Sequence, residues 1–415
     1  MADNQQDLIV ALDVGTSKVA ALIAQVSSDG LLEVIGVGKK ASRGLKRGMV
    51  VNIDQTIQDI QAAISEAESM ADCSIHSVYV GIAGSHILSR NLHGVVAVPN
   101  GEVTQSDIDR VLEAAKTGAV MPDHKVLHVL PQEFIVDHQE DVRNPLGMSG
   151  VRLEGHHHLV SCSLNAWQNL EKCVRGCGIG IDEVVLEPLA AADAVLSDDE
   201  KQLGVCLVDI GAGTTDIAVY AHGALRHTAI LPVAGDQVTN DVAITLHTPT
   251  QEAEDLKVKH ACAQARLVNR EDMINVPGMG DRPLRKLQRH FLASVVEARY
   301  EEIFRMVQEE LVHAGLMGYM GAGIVLTGGA SRIEGAAALA ESVLAMPVRM
   351  GVPNGVKSGG MGDILKNPVY ATGVGLLMYG KQRLHEVREV LPTRRNPSGN
   401  GGMFQKLRQW LETHF

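Results

Sequence analysis

Aromatic residues are scarce, only 3% of a 415-residue chain. A chain so poor in large rings must fill its interior with small aliphatics, and its 42 glycines add many tight turns. Both favour an architecture of strands and helices, and 45% hydrophobic against 21% charged residues is the composition of a globular chain, not a disordered one. No stretch of about eighteen apolar residues occurs, so no helix is expected to span a membrane. Residues 1–7 are polar and acidic and lack the basic and apolar regions of a signal peptide, so none is expected. Lys and Arg number 37 against 49 Asp and Glu, for a net charge of −12. Nucleic-acid binding needs a basic surface to neutralise phosphates, so that class is set aside, although a local basic patch is not. The six cysteines, Cys73, Cys162, Cys173, Cys177, Cys206 and Cys262, are dispersed and form no C-x-x-C pair. Reduced, buried thiols are expected instead of disulfides or a zinc site.

What is present is a hairpin signature that occurs twice. Val208-Asp209-Ile210-Gly211-Ala212-Gly213-Thr214-Thr215-Asp216-Ile217 sets glycines, threonines and aspartates between apolar strands. Such a turn leaves backbone N–H groups unpaired, and with the threonine hydroxyls they form a nest for phosphate oxygens. An aspartate at the strand end can hold hydrated Mg²⁺. Taken alone, the segment is equally an ordinary Gly-rich hairpin. The second copy tips the balance. Residues 8–20 set Asp13 against Asp209 and Gly15 against Gly211, at an offset of 209 − 13 = 196. Thr16-Ser17 fall against Thr214-Thr215 if two extra residues are allowed in the second turn. Two such hairpins imply two similar half-molecules sharing a cleft, which suits a chain of this length. Neither copy fits G-x-x-x-x-G-K-[ST] or G-x-G-x-x-G, so P-loop and Rossmann sites are set aside.

In chain order, residues 8–40 read as three strands. Asp54 is placed to cap a helix reaching about Met70, and residues 78–83 form a strand. From 84 to 162 strands alternate with loops around one helix starting near Ser106, the pattern of an inserted small α/β module. His156-His157-His158 point to alternate faces of a strand and read as solvated, not as a metal site. Residues 165–177 form a helix. Glu187-Pro188-Leu189-Ala190-Ala191-Ala192 opens a thin-faced helix. It either packs on a sheet or crosses between lobes with Glu187 toward the cleft. Gly235 leads into a helix, and Glu254 and Lys257 stand three apart on another, by default a surface ion pair. Residues 284–311 read as one long amphipathic helix whose Arg285, Lys286, Arg289 and Arg299 make a partly basic face. Residues 323–333 form a strand ending in Gly328-Gly329, where a flat ligand can lie against backbone. Residues 370–380 give a second small-residue helix, and 381–402 a flexible linker. In residues 403–415, Met403, Phe404, Leu407, Trp410, Leu411 and Phe415 share a helical arc of about 140°. Lys406 and Arg408 flank it. At roughly 20 Å the helix is too short to cross a bilayer. The linker, aromatics and flanking bases favour a membrane interface over docking back on the protein.

Two phosphate hairpins, a Gly-Gly turn and two small-residue helices, in this order, resemble the superfamily of actin, sugar kinases and 70-kDa heat-shock ATPases. Within it the sequence is similar to the FtsA family, bacterial actin homologues of cell division. The resemblance covers residues 7–380 and the terminal helix. It rests on Asp13-Val14-Gly15-Thr16-Ser17-Lys18, Asn144-Pro145-Leu146-Gly147-Met148-Ser149-Gly150, residues 204–220, Gly223-Ala224-Leu225-Arg226-His227 and residues 324–330. It implies an α/β, actin-like two-lobed ATPase fold of duplicated ribonuclease-H-like halves. Subdomain 1A would take residues 1–83, 163–196 and 344–380, with an inserted subdomain 1C at 84–162. Subdomain 2A would take 197–227 and 313–343, and 2B would take 228–312.

The resemblance also implies a site that binds ATP or ADP with Mg²⁺. Asp13 and Asp209 would orient the cation through water. Gly15, Thr16, Ser17 and Lys18 would form one phosphate loop, and Gly211, Ala212, Gly213, Thr214 and Thr215 the other. Gly328, Gly329 and Ser331 would border the adenosine, with Glu254 and Lys257 reaching it from the opposite lobe, and Gly235 would belong to the same nucleotide site. Glu187 would stand where related bacterial actins place a water-positioning glutamate, in an ATPase that is weak at most. The implied partners are further copies in a filament, anionic lipids at the terminal helix and the tail of the tubulin-like FtsZ on 2B. Arg285 and Arg299 would suit that acidic tail, and FtsN and other late division proteins would meet 1C. The implied location is the cytoplasmic face of the inner membrane, at the septum. A sugar kinase or a type IV pilus adaptor would lack the terminal helix. A heat-shock chaperone would need more than the 415 − 380 = 35 residues that follow the core.

Overall fold

The structure, a computed structural model, describes residues 8–280, 282–357 and 360–390. Two five-stranded sheets carry the two halves of the chain. The first runs Gly180–Leu186, Ser77–Ile82, Leu8–Val14, Lys18–Val26, Leu32–Ala41. The second runs Ala224–Leu231, Thr215–Ala221, Val205–Ile210, Ile324–Thr327, Val348–Met350. Around the hairpins they match strand for strand. Leu8–Val14 pairs antiparallel with Lys18–Val26 and parallel with Ser77–Ile82. Val205–Ile210 pairs antiparallel with Thr215–Ala221 and parallel with Ile324–Thr327. The central strands are buried along almost their whole length, as a sheet covered on both faces requires.

Each sheet builds its own core. Val10, Leu12 and Ile23 pack with Ile60, Ala63, Ile64 and Ala67 of the helix Ile53–Ala71. Asn52, not Asp54, caps that helix: its Oδ1 accepts the Gln55 N–H at 3.0 Å. Asp54 sits in the first turn, where the helix dipole favours an acid. In the second half, Val208, Ile210 and Ile217 pack with the helices Gly235–Leu246 and Arg289–His313. The latter buries Leu292, Val296, Tyr300, Ile303, Phe304, Val307 and Leu311. That is the spacing of one helical face, and each such side chain contributes roughly 1.5–3 kcal/mol. The helix begins at Arg289, later than the pattern suggested, because Arg285–Gln288 pairs as a strand with Met273–Val276.

The two thin helices meet. A side chain at Gly375 would overlap the carbonyl of Ala190, so Glu187–Val195 and Ala371–Val390 cross in backbone contact. The second helix continues past Gly380 to Val390, so the first part of the segment read as linker is helical. The chain divides there into two compact units, up to Gly380 and from Lys381 on. Residues 391–415, with the rest of that segment and the amphipathic stretch, lie outside the described residues.

Residues 87–163 form a four-stranded sheet in the order Ile87–Ala97, Arg152–Ser163, His124–Val136, Gln139–Val142, with the helix Gln105–Lys116 against it. Asp107 accepts from the Thr104 amide (2.8 Å) and hydroxyl (2.6 Å), a capping box that fixes the helix start. The module has its own core of Val98, Val103, Val111, Phe134, Val136, Val142 and Leu153. The expected solvated histidine strand is not what forms. Arg152–Ser163 is an interior strand with both faces covered, and a bulge between His156 and His157 shifts its register. His157 and His158 are therefore buried. All six cysteines are free, and Cys162, Cys173, Cys206 and Cys262 are buried. Among the described residues, no helix is long and apolar enough to cross a membrane.

Candidate functional site

The two hairpins are built alike. Gly15 N–H donates to Lys18 O at 2.9 Å, and Gly211 N–H donates to Thr214 O at 2.9 Å. Val14 pairs with Val19 as Ile210 pairs with Thr215. The offset of 196 therefore holds through the whole turn (14 + 196 = 210, 19 + 196 = 215), and no two-residue insertion is needed. Thr16-Ser17 match Ala212-Gly213, and Lys18 matches Thr214. The loops also face each other. A Cβ on Gly213 would overlap the Thr16 hydroxyl and lie 2.9 Å from the Cα of Arg47. Thr16 Oγ1 meanwhile accepts the Gly48 N–H at 3.0 Å. Arg47 (φ 50°) and Gly48 (φ 74°) form the tip of a hairpin with both central residues left-handed, which closes over the first loop.

Between the loops lies a dense acidic cluster. Asp13, Asp209 and Asp216 are only 4%, 9% and 4% exposed. Lys18 forms an ion pair with Asp13 and stands 5.8 Å from the Tyr370 ring centroid. Burial pulls the lysine's pKa down, but Asp13, with Glu187 and Asp209 behind it, pulls harder and leaves it raised. Burial, and then the charge of Asp13, pushes the Asp209 carboxyl up to about 7. Glu187 is pushed well above its ordinary range by burial, then by Asp13, Asp216 and Asp209, against the opposing Lys18. Asp216 is pushed up by burial and then by Asp209, and its Oδ1 has no partner. Lys18 thus pairs with Asp13 and opposes the upward shifts of Asp209 and Glu187, while Asp216 is eased only by the Thr214 side chain. Behind them a space of about 300 Å³ is bordered by Glu187, Val14, Gly48 and His86. Both ring nitrogens of His86 are buried without partners, and burial, with a smaller part from His124, lowers its pKa to about 4.

The Gly-Gly turn lies against the second hairpin. Gly328 has φ 88°, and a side chain there would overlap Asp209 Oδ1 and come within 2.5 Å of Ile210 O. Ser331 turns inward and donates to Gly328 O at 2.7 Å, so its hydroxyl holds the turn. Gly235 N–H donates to Gly211 O (3.1 Å) and Asp236 N–H to Ala212 O (2.8 Å), which seats a helix start on the second loop. Lys257 is no surface residue. It is buried, and its Nζ reaches Gly235 O at 3.0 Å, Thr239 Oγ1 at 2.8 Å and Glu254 at 2.6 Å.

A profile described as "Cell division protein FtsA" matches residues 206–375, and one described as "SHS2 domain inserted in FTSA" matches residues 84–161. A Cell division protein FtsA of Pseudomonas aeruginosa is 54% identical over 411 residues, covering 98% of both chains. That of Escherichia coli K12 is 44% identical over 415 residues, with the same coverage. The chain belongs to the FtsA family.

The fold of this FtsA-family protein is actin-like. A chain of the PilM-PilN type IV pilus biogenesis complex matches it with a TM-score of 0.66 at 15% identity, covering 90% of this chain and 98% of that one. MreB5 of Spiroplasma citri bound to ADP matches with a TM-score of 0.57 at 14% identity, covering 92% and 98%. The same MreB5 bound to AMPPNP also matches at 0.57. Of the residues singled out in the sequence, the structure gathers Asp13, Thr16, Lys18, Glu187, Asp209 and the second loop, with Gly235, Lys257, Gly328 and Ser331 beside them. It does not gather the basic face. Arg285 sits on the strand Arg285–Gln288, exposed, and donates to Leu246 O. Arg299 is held by Asp241 through two hydrogen bonds (2.6 and 3.0 Å) and by Glu302 (2.6 Å). Asp216 went unassigned, although hairpin length alone sets it opposite Asp209.

Proposed function

We propose that this member of the FtsA family binds ATP with Mg²⁺ between its lobes and uses it to control self-assembly on the cytoplasmic face of the membrane during division. The observation that carries the nucleotide reading is the pair of identically closed hairpins meeting where Gly213 faces Thr16. Their N–H groups and hydroxyls suit phosphate oxygens. MreB5, of like fold, has been seen with ADP and with AMPPNP. The residues present fit a divalent cation. Asp216 Oδ1 is an orphaned buried acceptor, and the crowded carboxylates resist ionisation for want of positive charge.

In this reading Asp13 and Asp209 hold the cation's waters. Residues 15–18 and 211–215 cradle the phosphates. Gly328 and Gly329 present bare backbone to the adenosine, beside Gly235, Glu254 and Lys257. Ser331 supports that surface from beneath. Glu187 becomes a proton acceptor only when the neighbouring aspartate charges are neutralised, which fits slow hydrolysis at most.

The anchor would be residues 403–415, through Met403, Phe404, Leu407, Trp410, Leu411 and Phe415, with Lys406 and Arg408 toward anionic headgroups. FtsZ would dock by its tail on residues 228–312. Arg285 remains available there, and Arg299, neutralised within the protein, is withdrawn as a contact. FtsN and later division proteins would meet the inserted module. The test is sedimentation of the full chain with anionic liposomes, with and without Mg·ATP and FtsZ. The expected result is nucleotide-dependent co-assembly that carries FtsZ to the vesicles. Sedimentation indifferent to nucleotide would refute the switch.

A further inference from the structure

The inserted module touches both lobes with one face of its sheet. In its interior strand, His158 stands opposite Asn91 on one side and Leu130 on the other, and Val160 stands opposite Ser89 and His128. Residues in register project to the same face, so Ser89, Asn91, His128 and His158 share one. Gln132, the extra residue at the bulge, turns the same way and donates to Asn91 Oδ1 at 3.1 Å.

Toward the second lobe this face grips the edge strand Ala224–Leu231. Gln132 Nε2 donates to Leu225 O at 2.8 Å, Asn91 Nδ2 to Arg226 O at 3.1 Å and Ser89 Oγ to Thr228 O at 2.8 Å. His158 links Asn91 Oδ1 (2.7 Å) to Thr228 Oγ1 (3.0 Å). Because Asn91 Oδ1 can only accept, His158 carries its proton on Nδ1 and accepts a hydrogen bond from the Thr228 hydroxyl at Nε2. Burial, and to a lesser degree His227, lowers the His158 pKa to about 4, so this arrangement persists at neutral pH. Toward the first lobe, His128 Nε2 accepts the Leu186 N–H at 3.0 Å, in a buried setting. Module and lobes meet around a small crevice lined by Ile87, Ser89, Leu186, Thr228, Ala229 and Ile230.

The two grips end beside the acidic cluster. Leu186 directly precedes Glu187, and Ile230 pairs with Asp216. We propose that the inserted module is the brace of the cleft: His128, with the cluster of His158, Asn91 and Gln132, positions Glu187 and Asp216 relative to each other across the two lobes. The inference rests on the nucleotide reading above. It follows that a partner or second copy pulling on the module alters nucleotide binding without touching the nucleotide.

The test is stopped-flow release of mant-ATP with Mg²⁺ from the full chain, in wild type, His128→Phe, His128→Gln and Gln132→Met. Phenylalanine keeps the ring and loses the acceptor, whereas the glutamine amide oxygen can still accept. His128→Phe and Gln132→Met are expected to release nucleotide about tenfold faster, the scale of a lost coupling contact, and His128→Gln to recover most of the difference. Hydrogen exchange on the wild type provides a measure that does not depend on the variants. Mg·ATP should protect residues 87–92 and 128–132 together with 186–187. A wild type that binds no mant-ATP sinks the nucleotide reading and this inference with it. A wild type that binds, with release unchanged in His128→Phe and Gln132→Met, with no rescue by His128→Gln, or with exchange in the module indifferent to nucleotide, sinks this inference alone.

Discussion

Replacing Asp209 by asparagine removes one of four crowded carboxylates while keeping its shape. Burial, and then the charge of Asp13, holds the Asp209 carboxyl at about 7, against an ordinary value of 3.8. Because the folded pKa is the higher one, the folded chain binds the extra proton between about pH 4 and 7, and stability falls as pH rises through that window. A difference of about 3 pKa units corresponds to about 4 kcal/mol. For 415 residues, an unfolding entropy near 2.1 cal/mol/K per residue turns this into a shift of about 5 °C in Tm. The asparagine variant escapes the penalty, and it also relieves Glu187 and Asp216, on both of which Asp209 acts. Thermal melts in EDTA from pH 4 to 8 should show the variant more stable than wild type at pH 8, with the gap closing toward pH 4. Mg·ATP should then stabilise the wild type and leave the variant unmoved. A variant no more stable than wild type at pH 8 without cation, or a gap independent of pH, would refute the account of the acidic cluster.

Gly328→Ala forces a side chain into a left-handed position against Asp209 and Ile210. It should cost about 2–5 kcal/mol, seen as a lower urea midpoint together with loss of nucleotide binding. Arg299→Ala should lower stability by about 1–3 kcal/mol through its lost bonds to Asp241, read as a lower urea midpoint, and unchanged stability would restore it as a free docking charge. Trp410→Glu sets a charge in the apolar arc of residues 403–415 and should release the chain from anionic liposomes in co-sedimentation; undiminished binding would remove the anchor.

The twin hairpins were legible because their geometry is local. Gly15 and Gly211 close four-residue turns, and turn chemistry is written in adjacent residues. Even there the alignment of Thr16-Ser17 slipped, since matching residue types misled where strand pairing decides. What stayed hidden depends on distant neighbours. His157 and His158 looked solvated because a single strand does not reveal that both its faces are covered. Arg299 looked like a surface charge because Asp241 lies 58 residues away in the chain. Lys257 looked like half of a surface pair because the helix start at Gly235, whose carbonyl it binds, is 22 residues earlier. The lobe crossing was half visible. Small residues at Ala190 and Gly375 announced close packing, but only the fold says that they pack on each other.

The acidic cluster and the facing loops together say what kind of device the cleft is. An enzyme built for turnover keeps its general base ionised and ready, whereas burial first, and then Asp13, Asp216 and Asp209, push the Glu187 carboxyl well above its ordinary range. In the function proposed above, a cation entering beside Gly213 and Thr16 would relieve the electrostatic strain among these buried carboxylates. A ligand that relieves the strain favours the closed lobes by that differential alone, and any contact that requires closed lobes shares in it. Such linkage serves assembly better than catalysis. In the function proposed above it would make contacts between copies conditional on nucleotide, and it would work best with hydrolysis too slow to undo it.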